Sequence, residues 1–268
     1  MGVLKLPKYL KLPDGTQPSI LCKRGDISKY VILTNTIQLA ERVAAHMAKM
    51  RLVGKGDSSG GFAETAAYNG FVDGLELTAI CSGIGSGHTS TIIEELINIG
   101  ARVLIQVGAT GAMQEDIDIG DIVIPAGAVR DEGTTPYYAP LQYPAMCDYR
   151  VVNALVEAAE KLGVKYHVGI VRTTDGLYPS QRIEELVSRW KSLGVLSVDQ
   201  EVSAILTVPA VRGAFGGAAL AVVGNLVQGK HYLQGDVDPE SIKGMYENVI
   251  RINIDAARIL NKSAFPPE

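Results

Sequence analysis

Cysteine is scarce in this chain: Cys22, Cys81 and Cys147 are far apart and odd in number among 268 residues. Such a set offers neither a disulfide framework nor a zinc ligand cluster, and buried free thiols are expected. Long apolar runs are missing too. No segment reaches the roughly 18 consecutive apolar residues of a membrane-spanning helix, and the opening MGVLKLPKYLKLPDG has lysines without the apolar core of a secretion signal. A cytoplasmic chain that does not engage membranes is expected. Excess positive charge is also absent, because the formal net charge is -4, which leaves no basic footprint for nucleic acid or anionic lipid.

What is present has the balance of a compact folded protein, with 47% hydrophobic and 20% charged residues. The length fits one α/β domain over 1–268. Within it Pro7, Pro13, Gly15 and Pro18 make residues 1–18 an irregular arm, expected to pack on a neighbour. Beyond the arm, short β-branched runs alternate with segments of helical period. YVILT precedes IQLAERVAAHMAKM, LELTAICSG precedes STIIEELINIG, and RVLIQVGATG leads to DIVIPAGAV. The second half continues with VVNALVEAAEKLG, YHVGIVRTTD, IEELVSRWKSLG, VLSVDQEVSAILTVPAVRG, ALAVVGNLV and a final helix from about Pro239 to Leu260. This is the rhythm of a parallel or mixed sheet flanked by helices. Glycine-rich loops are expected at Gly83 to Gly87, Gly108 to Gly111 and Gly224 to Gly229, after strands, where open α/β sheets place ligands.

The segment CSGIGSGHTSTIIEEL passes from strand through a glycine turn into a helix, whose free N–H groups attract anions or hydroxyls. It lacks the third glycine and the downstream acid of a dinucleotide fingerprint. By itself it fits a tight turn as well as a binding site. Four segments in order carry a more specific signal: GIGSGHTSTIIEEL, GATGAMQEDIDIGDIVIPAGAVRDEGTTPYYAPLQYPA, YHVGIVRTTDGLYPSQ and GVLSVDQEVSAIL. Their sequence and spacing resemble the uridine phosphorylase branch of the nucleoside phosphorylase family, over roughly residues 19 to 262. The resemblance implies a three-layer α/β/α fold on a twisted mixed β-sheet, a homo-oligomer (dimer or hexamer) with sites near subunit contacts, a small-molecule nucleoside as substrate, phosphate as co-substrate, and neither cofactor nor metal.

The resemblance also implies site residues. Glu201 in SVDQEVSAIL matches the acid that binds the ribose hydroxyls, with Gln200 beside it; a carboxylate can accept both vicinal hydroxyls and favour the positive charge that develops as the glycosidic bond breaks. Gln181 in LYPSQ matches a glutamine that pairs with the uracil amide, to which a side-chain amide offers one donor and one acceptor. Thr110 and Gly111 match the lining of the sugar and base cavity. Asn225 matches the polar position near the base, where purine-cleaving relatives carry aspartate. An amide cannot donate that proton by ionisation, so a pyrimidine or 6-oxopurine is expected, with Glu201 and Asn225 as catalytic candidates. The arginine that partners the glutamine in the family falls at Ile183.

Phosphate recognition departs from the family. The proline-glycine-aspartate-proline-x-arginine loop reads Thr34 to Leu39, with Asn35 at the glycine and Leu39 at the arginine. A second arginine corresponds to Gln106, a hydroxyl to Ala109, the neighbour-donated arginine should fall in the arginine-free KGDSSGGFAE, and a histidine falls at Ser19. Guanidinium groups give bidentate, charge-assisted bonds that neutral side chains do not. The candidates left for an anion are Gly85, His88, Gly108 and Arg172, with Arg42 a further cation one turn after Leu39. Three readings remain open: phosphorolysis of a nucleoside, hydrolysis at the same sugar and base sites, and non-catalytic nucleoside binding or storage.

Overall fold

The computed structural model describes residues 10–55, 65–180, 182–235 and 237–266. Strand β1 (Tyr30–Thr34) leads into helix α1 (Ile37–Ala44), then β2 (Ala48–Lys55), β3 (Ala66–Val72), β4 (Leu75–Cys81) and α2 (Ser86–Ile99). Next come β5 (Val103–Ala112), β6 (Ile122–Asp131), β7 (Ala145–Met146), α3 (Tyr149–Leu162), β8 (Tyr166–Thr174) and α4 (Ile183–Ser192). The chain continues through β9 (Ser197–Asp199), α5 (Val202–Val211), β10 (Phe215–Asn225) and β11 (Lys230–His231) to α6 (Pro239–Lys262).

All the strands belong to one mixed sheet, in the order β11-β10-β6-β8-β9-β5-β1-β4-β3-β2, with β7 beside β6. Because β10 also pairs with β5, the strands β5, β10, β6, β8 and β9 close on themselves, and the rest extend as a wing. Alternation along β1 divides the interior in two. Tyr30 and Ile32 face a core shared with α1, α3 and α6, while Val31 and Leu33 face α2 and α5. Helices therefore cover both faces of the sheet, as expected.

Local chemistry fixes the helix ends. Thr36 caps α1 by accepting from the Leu39 N–H, Asp148 caps α3 through the Arg150 N–H, and Gly163 ends α3 in the left-handed region. The run IQLAERVAAHMAKM departs from the single helix expected. It leaves the helix at Ala44, and Ala48–Lys55 becomes β2, hydrogen-bonded to β3, where tertiary pairing overrides the helical propensity of Ala, Met and Lys. Gly108 to Gly111 lie inside β5 rather than in a loop.

Of the N-terminal arm, residues 10–18 are described and form turns. The stretch that follows docks on its own chain. The buried Glu95 carboxylate of α2 accepts the Ser19 N–H at 2.9 Å, the Ser19 hydroxyl at 2.8 Å and the Ile20 N–H at 3.0 Å. Ser19, at the family histidine position, is thus a buried structural residue. Replacing Glu95 with Ala strands these donors away from water. It should lower the unfolding free energy by about 3 kcal/mol, measured by urea denaturation; a loss under about 0.5 kcal/mol would show that this contact does not hold the segment.

Candidate functional site

The sheet opens where β5 outruns its neighbours. β1 pairs with β5 only as far as Thr34 opposite Val107, and β9 takes up the same edge at Val198 opposite Gly111. Between them Gly108, Ala109 and Thr110 border a cavity of about 680 Å³. Its apolar wall includes Ile84, Met113, Leu177, Leu186, Val198 and Leu226. A mostly apolar hollow with a few convergent polar groups is the usual form of a small-molecule site.

Glu201 stands at the cavity floor, at the residue preceding α5, and is 4% exposed. Its carboxylate accepts the Gly85 N–H at 2.7 Å and the Gln106 amide at 3.3 Å, with Asn35 a third donor. Burial pushes its carboxyl above the ordinary glutamate range, against the opposing effect of those donors. Two residues earlier, Asp199 Oδ1 accepts from the Glu201 N–H, the Val202 N–H and the Thr173 hydroxyl. Its Oδ2 is buried with no hydrogen-bond partner among the described residues. Burial first, and then the charge of Glu201, push the Asp199 carboxyl up to about 7.

Of the other expected residues, Thr110, Gly111 and Gln200 line the same cavity as Glu201. The Thr110 hydroxyl donates to the Val198 carbonyl at 2.8 Å, and the Gln200 carbonyl accepts the Ser86 hydroxyl at 2.8 Å. Gly111 is covered by Leu226, whose Cδ1 lies 2.6 Å from where a Cβ would stand. Gln181 lies outside the described residues, as do residues 56–64, which hold all but Lys55 of the segment read for the neighbour-donated arginine.

Asn225 departs from its expected part as a base contact. Its amide nitrogen donates to the Gln114 and Ile117 carbonyls, and its oxygen accepts the Val227 and Gln228 N–H groups, so its hydrogen-bonding capacity goes to main chain. It shapes the turn after β10 instead.

The anion candidates are also redistributed. The Gly85 N–H is taken up by Glu201. His88 is not among the cavity residues; its ring lies under Gly83, where a Cβ would sit 2.1 Å from Nδ1. Gly108 borders the cavity as a strand residue, and Arg172 lines it with its charge paired to Asp131. At the phosphate-matching positions Asn35, Leu39 and Ala109 face the cavity, while Gln106 is fully buried with Oε1 unpartnered among the described residues. Arg42 also reaches the cavity, over the Tyr246 ring at 5.6 Å and donating to the Lys243 carbonyl at 3.3 Å. Asp199 and His231, absent from the expected site residues, line the cavity too. The Asp-x-Glu spacing of Asp199 with Glu201 was a usable signal; His231 depends on strand register, which a linear reading does not contain.

Residues 29–260 match the Phosphorylase superfamily. A uridine phosphorylase of Thermococcus kodakarensis is 34% identical over 225 residues, covering 80% of this chain and 79% of the relative. A guanosine phosphorylase of Halorubrum lacusprofundi is 31% identical over 246 residues, covering 91% of this chain and 99% of the relative. The crystal structure of uridine phosphorylase from Vibrio fischeri superposes with a TM-score of 0.82 at 29% identity, over 92% of this chain and 98% of that one.

The buried carboxyl of Asp199 carries a pH signature. Folding raises it from an ordinary 3.8 to about 7, so the folded state binds more protons between those values and stability falls as pH rises through that window. Asp199→Asn imitates the protonated form. Its melting temperature should exceed that of the wild type by a margin that grows from about pH 5 to about pH 8. A variant that melts lower at both ends would show that Asp199 is ionised and satisfied in the fold.

Proposed function

The chain belongs to the phosphorylase superfamily, and on that premise we propose that it is a pentosyltransferase of the nucleoside phosphorylase type, cleaving the N-glycosidic bond of a nucleoside seated beside β5. The observation that carries this reading is the buried Glu201 carboxylate in the wall of a largely apolar cavity. Held by Gly85, Gln106 and Asn35, it keeps acceptor capacity for the two vicinal hydroxyls of a ribose. As the C1′–N bond lengthens, the bonding pair leaves with the base and positive charge grows on the sugar. A fixed negative group in a desolvated site stabilises that charge without reorganisation. An oxygen of hydrogen phosphate then bonds to C1′ and the phosphate proton passes to the departing base anion, giving free base and ribose 1-phosphate. None of these steps calls for a covalent link to the protein.

The base we assign is a pyrimidine or a 6-oxopurine. Relatives named for uridine and for guanosine both align along most of this chain. Phosphate binding is weak in this reading, because the matching positions hold Asn35, Leu39, Gln106 and Ala109 in place of charged donors. A second reading, transfer to water, is favoured by the neutral Asn35, Leu39 and Ala109 that face the cavity where the family holds phosphate. We further place the protein in the cytoplasm, consistent with three buried free thiols and, among the described residues, no helix long and apolar enough to cross a membrane.

We also assign a homo-oligomer, a dimer or a hexamer. Met146 and Ile170 both pair across the sheet with Gly127, and with Val168 they expose apolar side chains on neighbouring strands. Light scattering at micromolar protein should give at least twice the chain mass; a clean monomer counts against this assignment.

Replacing Glu201 with Gln keeps shape and removes charge. Ribonucleoside affinity or turnover should fall at least about tenfold while the melting temperature stays near that of the wild type. Unchanged calorimetric affinity would show that Glu201 is not the sugar anchor. With uridine or inosine as substrate, half-saturation by phosphate should need a concentration about a hundredfold above that of a guanidinium-lined site. Product analysis for ribose against ribose 1-phosphate separates the two acceptors. Tight, saturable phosphate dependence would overturn the weak-anion reading.

A further inference from the structure

Arg172 is 7% exposed, and its side chain stands in the wall of the cavity. Its Nε donates to Asp131 Oδ2 at 2.7 Å, its Nη2 reaches the same oxygen at 2.6 Å, and Nη2 also donates to the Thr174 hydroxyl at 3.3 Å. The guanidinium lies over the Trp190 ring at 5.5 Å. Nη1 has no hydrogen-bond partner among the described residues. Nη1 therefore keeps donor capacity on a residue of the cavity wall, where an acceptor in the cavity can use it.

Strand register shows what stands in line with it. Arg172 pairs with Val198, Val198 with Gly111, Gly111 with Gly224, and Gly224 with His231. All five residues line the cavity. The two glycines in the row have no side chain of their own, and side chains from elsewhere fill the space over them: Leu226 over Gly111 and the His231 ring over Gly224. The row thus lays apolar and aromatic side chains along the cavity wall, on which a planar base can rest, with the guanidinium at one end. Asp131 decides what kind of acceptor belongs there. Its carboxylate already balances the Arg172 charge and repels a second anion nearby. What the pair offers is directional donors without net charge, which suit a neutral carbonyl oxygen. An amino group at the same place would set donor against donor.

We propose that Arg172 is a specificity-determining residue, its Nη1 edge donating to a carbonyl oxygen of the leaving base. This rests on the nucleoside reading above and assigns the group that selects oxo bases over amino or unsubstituted ones. The test compares uridine and inosine with 4-deoxyuridine and purine riboside, which lack the 4-oxo and the 6-oxo group respectively, the oxygen assigned to Arg172, while the 2-oxo group of 4-deoxyuridine remains. Free-base release and calorimetric binding are followed with wild type, Arg172→Met and Arg172→Lys, each checked by thermal melting.

Wild type should favour each oxo nucleoside over its deoxy partner by about tenfold or more in kcat/KM or Kd. Arg172→Met should abolish that preference while changing the deoxy substrates by less than about threefold, and Arg172→Lys should restore part of it. A wild type that takes both kinds equally overturns the assignment without any variant. So does an equal loss on all four substrates in a folded Arg172→Met, which would mark a packing role. Wild-type protein that neither binds nor cleaves any of the four overturns the nucleoside reading itself, a result distinct from turnover without discrimination.

Discussion

Strand β5 pairs with β10 from Val103 to Ala112, yet its opposite edge is covered only up to Val107 and again from Gly111. Main-chain polar groups in a protein interior must find partners. A three-residue opening in a buried ladder, at Gly108, Ala109 and Thr110, therefore has to be closed by something other than a strand. The Thr110 hydroxyl closes part of it by bridging to the Val198 carbonyl. The remainder is open to whatever occupies the cavity, which Asp199 at the end of β9 and Gln200 and Glu201 after it also line. The site thus owes its position to a mismatch in strand length, which any residue lengthening β1 or β9 would remove.

Electrostatics within this opening are unusual for an anion pocket. Two carboxyl groups line it: Glu201, held by an N–H group and neutral amides, and Asp199, whose Oδ2 has no partner among the described residues. An acceptor-rich lining favours hydroxyls, waters and N–H groups. It offers little to a multiply charged oxyanion leaving water, whose lost hydration charged donors must repay. Of the cavity cations, Arg172 is paired with Asp131, Arg42 rests on Tyr246 and the Lys243 carbonyl, and Lys230 stands on β11, away from the positions that match the family's phosphate residues.

Much of the architecture was legible from the chain. YVILT is β1 residue for residue, the final helix begins at Pro239 as expected, and the alternation of elements led to a helix-covered mixed sheet. The failures have physical causes. MAKM carries helix-forming residues but pairs with β3 as a strand, since partners distant in sequence outweigh local propensity. At the site, Glu201 was readable from its motif, whereas the engagement of Asn225 and Gly85 by their own protein was not. Which donors remain free is decided by tertiary pairing, and no spacing in the chain records it.

Helix α2 joins two buried carboxylates that lie far apart in the chain. At its start, Gly85 donates to Glu201 and the Ser86 hydroxyl to the Gln200 carbonyl; near its end, Glu95 grips Ser19 and Ile20. Its buried face, including Ile92, Ile93 and Leu96, packs with α5, the helix that Glu201 begins. One helix thus carries both the carboxylate that holds the Ser19–Ile20 segment and, at its start, the donors that hold the Gln200–Glu201 turn on the cavity wall.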